Sequence, residues 1–486
     1  MKNENLKALI DIGSNTVRLV IYAPPYRFPN VFLNKRFYCD LGRGLDKDKI
    51  IPENKIKKLL SSLNIFKDLL NDYKVKSFEI LGTAAMREAK NSKIILKETK
   101  KIFRKKIKIL KPLEEAIMSG YSAISTMNLP NGLSMDLGGG SLDLAKIKYD
   151  KIQSVKSLNI GTLRYYSPKN ELNIPNIKKD MNDKLNSSNF FTKNNKNIYL
   201  IGGAFRHICK KYLSVSNNPI EVIHSFTIKK TERSKFIKFL NYEFKFIMKK
   251  EYSTLSKREQ TIPVAILVLQ KILRDNINTN IVFSAYGLRE GYNYSKLSNK
   301  NKKLDPFVES TKFFSDLDSR NTISSEIFHT LKSLIPKKIK VEDRIIQGIC
   351  NLSDANWRIL SPYRSIQSFL RIARFSWIGI NTVERLFVSY TLFNRYNPGK
   401  KYRNQIKEYL IVMDKREKVY AELIGNLLKT VYSITSGSKK LIEKKFIYFD
   451  QKSISYKLND NIEDLLQEKE LQTLKLNNLL KEALKY

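Results

Sequence analysis

The sequence is short of the residues that build covalent frameworks. Cysteine occurs only at Cys39, Cys209 and Cys350, in no CxxC pair and at no zinc spacing. This excludes a disulfide-stapled scaffold and points to a reducing compartment. Long apolar runs are missing as well. The longest, Thr261–Leu273, contains polar residues and falls short of the ~20 residues that span a bilayer, so it reads as a buried helix. The opening MKNENLKALIDIG runs straight into a strand-like segment without a signal-peptide core, so a cytoplasmic location and no membrane partner are expected. Acids are scarce beside bases: 47 Asp+Glu face 88 Lys+Arg, a net charge of +41. Such a field draws in polyanions and speeds their encounter, whether nucleic acid, an anionic membrane surface or polyphosphate. AT-rich coding would also raise lysine, but it does not explain why acids fail to keep pace.

What is present suffices for several globular domains. The chain has 486 residues, of which 42% are hydrophobic, enough for two to four cores. Its first part alternates strand-like runs (Leu6–Leu19, Ser77–Leu81) with the helical spacing of Ile56, Leu59, Leu60, Leu63, Phe66 and Leu70. A second alternating unit opens with Leu133–Leu137 and a hairpin partner, Leu142–Tyr149. Such alternation predicts α/β layers. Residues 162–196 are Asn/Lys-rich with little periodicity and predict a mobile excursion; Lys296–Lys303 reads as a linker. The remainder is helical by pattern, and its last segment, Ile462–Leu484, is a Leu-rich amphipathic helix suited to internal packing or to a homodimer. The expected division is 1–128, 129–300 and 301–486.

Two loops carry the chemistry. Asp11-Ile12-Gly13-Ser14-Asn15-Thr16-Val17-Arg18 follows a strand. Gly13 lets backbone N–H groups turn toward phosphate oxygens, Ser14, Asn15 and Thr16 add donors, and Arg18 can grip phosphate with two bonds. Asp11 at the strand end is placed to hold Mg²⁺ through water. Asp136-Leu137-Gly138-Gly139-Gly140-Ser141 repeats the arrangement with three consecutive glycines, which suit backbone passing close to a ligand. The repeat implies two similar subdomains facing one cleft. Gly202-Gly203, after the strand-like Ile198–Ile201 and before a helix, fits a helix N-terminus facing phosphate.

The ordered set DIGSNTVRL, LGTAAMREA (Leu81–Ala89), EEA (Glu114–Ala116), MDLGGGSLDL (Met135–Leu144), IGTLR (Ile160–Arg164), IGGAFR (Ile201–Arg206) and AYGLREG (Ala285–Gly291) resembles the exopolyphosphatase / guanosine pentaphosphate phosphohydrolase (Ppx/GppA) family. The resemblance implies a duplicated actin-like (acetate-kinase/ribonuclease-H-like) ATPase fold with an all-α C-terminal region. It implies that Glu115 is the base activating water, that Arg87 contacts phosphate, with Arg206 a weaker candidate, and that Asp136 and Asp143 are linked to Mg²⁺, or Mn²⁺ in its place. Asp143 stands where relatives more often have Glu, one methylene longer, and Leu142 replaces a common Thr. Ala285–Leu297 resembles a helix crossing back between subdomains, expected as a hinge element and not a catalyst. Leu352–Phe387 resembles an appended HD-type phosphohydrolase module. The chain's only histidines are His207, His224 and His329, and Asn381 sits where a histidine is expected, so this module reads as catalytically empty. Its Trp357, Arg358, Tyr363, Arg364, Arg371 and Arg374 either line a polyphosphate track or belong to core and solvated surface.

Three functions follow. The first is Mg-dependent exopolyphosphatase activity, favoured by the positive charge. The second is 5′-phosphohydrolysis of guanosine pentaphosphate in the same cleft. The third is a non-catalytic polyanion or nucleic-acid binder, against which the retained Asp11, Glu115 and Asp136 argue. No RNA-recognition, zinc-finger or OB-type pattern supports a nucleic-acid partner.

Overall fold

Lys7–Ile12 (β1) carries apolar side chains on both faces, which suits a central strand. Ile10 and Ile12 enter one core cluster and Leu9 another on the opposite face. In the computed structural model, which describes residues 5–165, 173–191, 195–250, 254–276, 278–396, 398–444, 447–450, 453–456 and 469–486, β1 pairs antiparallel with Thr16–Tyr22 (β2) and parallel with Ser77–Gly82 (β4). Val31–Tyr38 (β3) and Lys108–Ile109 (β5) complete a sheet of order β3-β2-β1-β4-β5. The strand-like run Leu6–Leu19 is thus two strands of one hairpin, broken at Gly13–Asn15.

The same pattern returns after residue 130. Asn131–Leu137 (β6) pairs antiparallel with Leu142–Lys148 (β7), which pairs with Lys151–Leu158 (β8). On its other side β6 runs parallel to Asn197–Ile201 (β9), and β9 parallel to Asn280–Phe283 (β11). Thr227–Ile228 (β10) adds an edge to give β10-β11-β9-β6-β7-β8. Strand for strand, β8-β7-β6-β9-β11 copies β3-β2-β1-β4-β5, so the fold is a duplicated actin-like α/β architecture. Thr261–Leu273 is helical within Ile262–Asp275, with Ile262 through Leu269 all buried, as expected of a helix apolar all round.

One compact unit comprises the residues up to Asn218 together with Ile223–Lys303, and contains both sheets. The other comprises Pro219–Val222 and Leu304–Tyr486. It is helical, with one strand pair, Ile447–Asp450 (β12) and Ser453–Tyr456 (β13). Its core gathers Phe307, Ile349, Phe369, Phe393 and Leu427 around helices such as Asp343–Leu352 and Lys415–Thr435, and Ile220 of the short strap is buried among them. The C-terminal helix Lys469–Ala483 places Leu476, Leu480 and Ala483 in that same core. Residues 462–468 of the expected amphipathic segment lie outside the described residues.

One expectation needs correction. Within 162–196 the chain forms a helix, Ile174–Asn186, capped by Asn173 and anchored by Ile177, Met181 and Leu185. Three apolar anchors at four-residue spacing are too sparse to show against the Asn/Lys background; residues 166–172 and 192–194 lie outside the described residues. Lys296–Lys303 contains a short helix, Asn299–Lys302, capped by Ser298, and the first compact unit ends at Lys303. The cysteines are buried and unpaired, and among the described residues no helix is long and apolar enough to cross a membrane.

Candidate active site

The two glycine loops close with the same hydrogen bond. Gly13 N donates to Thr16 O (3.0 Å) between β1 and β2, and Gly138 N donates to Ser141 O (2.9 Å) between β6 and β7. Asp11 and Asp136 hold equivalent strand-end positions. Their cross-strand partners differ: Asp11 faces Arg18, whereas Asp136 faces Asp143. The first loop is balanced in charge and the second is doubly acidic.

Protein packing accounts for two of the three consecutive glycines. A Cβ on Gly140 would lie 2.7 Å from Ala84 Cβ, and one on Gly139 would lie 3.1 Å from Ser14 Cβ. The turn after β8 presses on the same loop. Thr162 N and Leu163 N donate to the Gly138 and Gly139 carbonyls, and Arg164 binds the Gly140 carbonyl and Glu88. Gly138 keeps ordinary contacts and is the glycine with room for a ligand. Gly202 has φ of 113°, and a Cβ there would lie 2.5 Å from Leu137 O. At Gly203, the start of the helix Gly203–Val215, the Arg258 guanidinium occupies the space a Cβ would need.

These loops line an open cleft with Asp11, Gly13, Ser14, Asn15, Thr16, Arg18, Glu115, Asp136, Gly138, Gly139, Gly140, Ser141, Asp143, Gly202 and Gly203. Arg87 stands behind it, its Nη1 donating to Glu115 Oε1 (2.5 Å) and Leu110 O (2.6 Å). Glu115 sits in the first turn of the helix Pro112–Thr126 and is 6% exposed. Burial pushes its carboxyl up to about 7 despite Arg87. Glu114, by contrast, accepts from Lys111 N (2.7 Å) and caps that helix. Burial likewise raises Asp136, to about 6. Asp143 is raised by burial and then by the Glu115 charge, and its oxygens accept from Ser141 Oγ (3.0 Å) and Ser157 Oγ (2.5 Å). Among the described residues no three Asp, Glu, His or Cys side chains form a ready-made metal shell.

Opposite the acids stand guanidinium groups that the sequence ranked low or passed over. Arg206, Arg258 and Arg289 line the cleft beside Arg18. Burial, with Arg289 the foremost charge, lowers both Arg18 and Arg206 to about 10. Arg289 Nη1 donates to Asp11 Oδ2 (2.9 Å), while Arg18 Nε and Arg289 Nε are buried without a protein partner. Arg289 lies in AYGLREG, and its distance along the chain from Asp11 hid its place. The next residue, Glu290, accepts from Gly287 N (2.8 Å) and Tyr22 OH (3.1 Å) and so fixes the helix Leu288–Ser295.

In the helical unit Asn381 accepts from Val383 N (2.9 Å) and Glu384 N (3.0 Å) and caps the helix Thr382–Arg395. Arg364 is tied to the Ile359 and Trp357 carbonyls, Trp357 Nε1 donates to Asp318 O, and Arg374 donates to Tyr409 OH.

The Ppx/GppA phosphatase family matches residues 20–300, and the exopolyphosphatase C-terminal family matches residues 330–477. A bifunctional 3-dehydroquinate synthase/phosphatase of Fusobacterium nucleatum is 30% identical over 173 residues, 34% of this chain and 26% of that protein. A guanosine-5′-triphosphate,3′-diphosphate pyrophosphatase of Aliivibrio fischeri is 26% identical over 160 residues, 32% of each. The chain therefore spans about a quarter to a third of the length of these two relatives. Retrograde regulation protein 2 of Saccharomyces cerevisiae is 22% identical over 485 residues, 90% of this chain and 82% of that protein. Among solved structures, an exopolyphosphatase from Cytophaga hutchinsonii has a TM-score of 0.53 at 20% identity, covering 60% of this chain and 97% of that one, a likeness of fold.

Proposed function

The chain belongs to the Ppx/GppA phosphatase family, and we propose that it is an exopolyphosphatase releasing the terminal phosphate of inorganic polyphosphate. The observation that carries this reading is the pairing of a buried carboxyl held near neutrality, Glu115, with a cleft wall of guanidinium groups, two of which, Arg18 and Arg289, keep a buried Nε without a partner among the described residues. A carboxyl with a pKa close to the working pH is suited to general-base catalysis. Arg18, Arg206, Arg258 and Arg289 supply the cationic donors that phosphoryl oxygens seek. The Gly203 helix end adds backbone donors.

In the proposed step, Glu115 takes a proton from a water. The water oxygen bonds to the terminal phosphorus, and the bridging P–O bond breaks. Orthophosphate leaves together with a chain one phosphate shorter. Arg87 holds Glu115 in place, and the arginines take up the charge that spreads onto the phosphoryl oxygens. Mg²⁺ is commonly bound by one or two carboxylates, with water and phosphate completing its shell. Asp136 and Asp11 fit that donor set, and the raised Asp136 carboxyl is a group that a cation would favour. Asp143, with both oxygens engaged by serines, fits a water-mediated or orienting place. When bound, the ion would polarise the phosphoryl group.

The Aliivibrio relative's name keeps guanosine pentaphosphate as the second reading. Orthophosphate release from long-chain polyphosphate and from guanosine pentaphosphate, with Mg²⁺ and with EDTA, separates them. Faster, Mg²⁺-dependent release from polyphosphate is expected. Release from the nucleotide alone transfers the function to the second reading, and release from neither removes hydrolysis.

A further inference from the structure

The helix Arg233–Met248 buries Phe236, Phe239, Leu240, Glu243 and Ile247. To solvent it turns Lys235, Lys238, Tyr242, Lys245 and Phe246, and Lys249 follows at its C-cap. The spacing from Lys235 through Lys238, Tyr242 and Lys245 to Lys249 alternates three and four, so these five form one stripe. At 1.5 Å per residue the stripe is about 21 Å long. The helix's only acid, Glu243, is 6% exposed and paired with Lys211. Among the described residues, none of the stripe's four lysines has an ion-pair partner. Tyr242 is 67% exposed and Phe246 42%. Their rings stack on each other, centroids 6.2 Å apart and planes 12° apart. Lys250 and Lys211 sit over the Phe246 ring at 4.6 and 5.9 Å.

We propose that this face docks the protein peripherally on an anionic lipid surface. The lysines would meet headgroup phosphates, and Tyr242 and Phe246 would enter the interfacial layer. Charge complementarity selects a polyanion, and the two exposed rings select one with an apolar stratum beneath its charge. The convex side of a helix spreads its side chains apart. A planar headgroup layer reaches every stripe position at once and offers the two rings an apolar stratum to enter, which a nucleic-acid backbone does not. The absence of a membrane-spanning helix among the described residues concerns spanning only, and this face is independent of the hydrolytic cleft.

The test is co-sedimentation of the full-length protein with phosphatidylcholine vesicles, with and without phosphatidylglycerol. Binding only to the anionic vesicles, weakened by salt, is expected. With about a fivefold contribution per lysine near such a surface, Lys238→Glu combined with Lys245→Glu should lower partitioning by at least roughly 25-fold. Phe246→Ser should weaken vesicle binding yet leave retention on a polyphosphate matrix unchanged, which separates lipid docking from simple polyanion attraction. All three sites are exposed, so orthophosphate release should stay at the parental rate. Equal binding of parent and charge-reversed protein, or equal binding to neutral vesicles, overturns the proposal. So does a result in which single-stranded oligonucleotides, and not vesicles, are bound and then lost in the same variants.

Discussion

Glu115 joins burial, a short ion pair and a neighbouring acid in one carboxyl, and each has a measurable consequence. Glu115→Gln should reduce turnover by on the order of 10²–10⁴ while leaving substrate affinity nearly intact, because only proton abstraction is removed. Glu114→Gln, which touches a cap, should be far milder; comparable losses in single-turnover assays would contradict the assignment. Because the base works deprotonated, activity should rise with pH through an apparent pKa near 7, and Glu115→Gln should lose that limb. The same shift affects stability. The folded state retains the Glu115 proton between the ordinary 4.5 and about 7, where the unfolded chain has lost it. Stability therefore falls as pH rises across that window. In EDTA above pH 7, Glu115→Gln should be the more stable protein by on the order of 1–3 kcal/mol, checked by urea melts at two pH values. That Asp11, Glu115 and Asp136 meet in one cleft was legible because short motifs single them out. Arg289 was not, since its partner Asp11 lies 278 residues away and no local pattern announces such a pairing.

The cleft depends on one tight helix crossing. Gly291, on the helix that carries Arg289, lies against the helix that carries Glu115; a Cβ there would sit 1.8 Å from Met118 O and 2.9 Å from Ser122 N. Backbone cannot yield as a flexible side chain can, so Gly291→Ala should cost about 1–3 kcal/mol. Because both helices must shift, kcat should fall with the melting temperature. A variant that melts lower with kcat unchanged would show that the crossing does not set the site. At this level much could be read in advance: two Asp-x-Gly hairpins foretold two similar sheets, and Ile262–Asp275 stood out by its apolar run. The Ile174–Asn186 helix did not, because its stability comes from tertiary contacts at three positions, which propensity and pattern under-report. The glycine triplet was legible as a close approach, but the approaching partner is largely protein, Ser14 and Ala84.

The charge of +41 belongs to the whole molecule. If polyphosphate touches basic groups outside the cleft, its affinity should fall with salt more steeply than that of a short oligophosphate, since each extra phosphate contact releases a condensed counterion. Arg358→Glu with Arg374→Glu in the full chain should flatten the long-chain slope if the helical unit carries the track; equal slopes for long and short substrates would leave the surplus charge without contact to substrate. Truncation after Lys303 would be a poor substitute. It strips the core from around Ile220, which is 2% exposed, and Ile220→Ala alone should lower stability by about 2–5 kcal/mol. Composition showed that several cores must exist, but not that one of them borrows four residues from within another unit's stretch of sequence.

That strap also bears on how the protein is made. Synthesis proceeds from the N-terminus, and Pro219–Val222 emerges from the ribosome well before Phe307, Phe369 or Leu427, which belong to the core in which Ile220 is buried. Until the final helices are translated, the nascent chain must carry this segment, with Ile220 and Val222 on it, while its destination is still unmade. The helical unit cannot finish folding as an appendage added at the end. It closes on a segment released much earlier, so a stalled or prematurely terminated chain leaves Ile220 exposed, a ready signal for chaperones and for quality-control proteases.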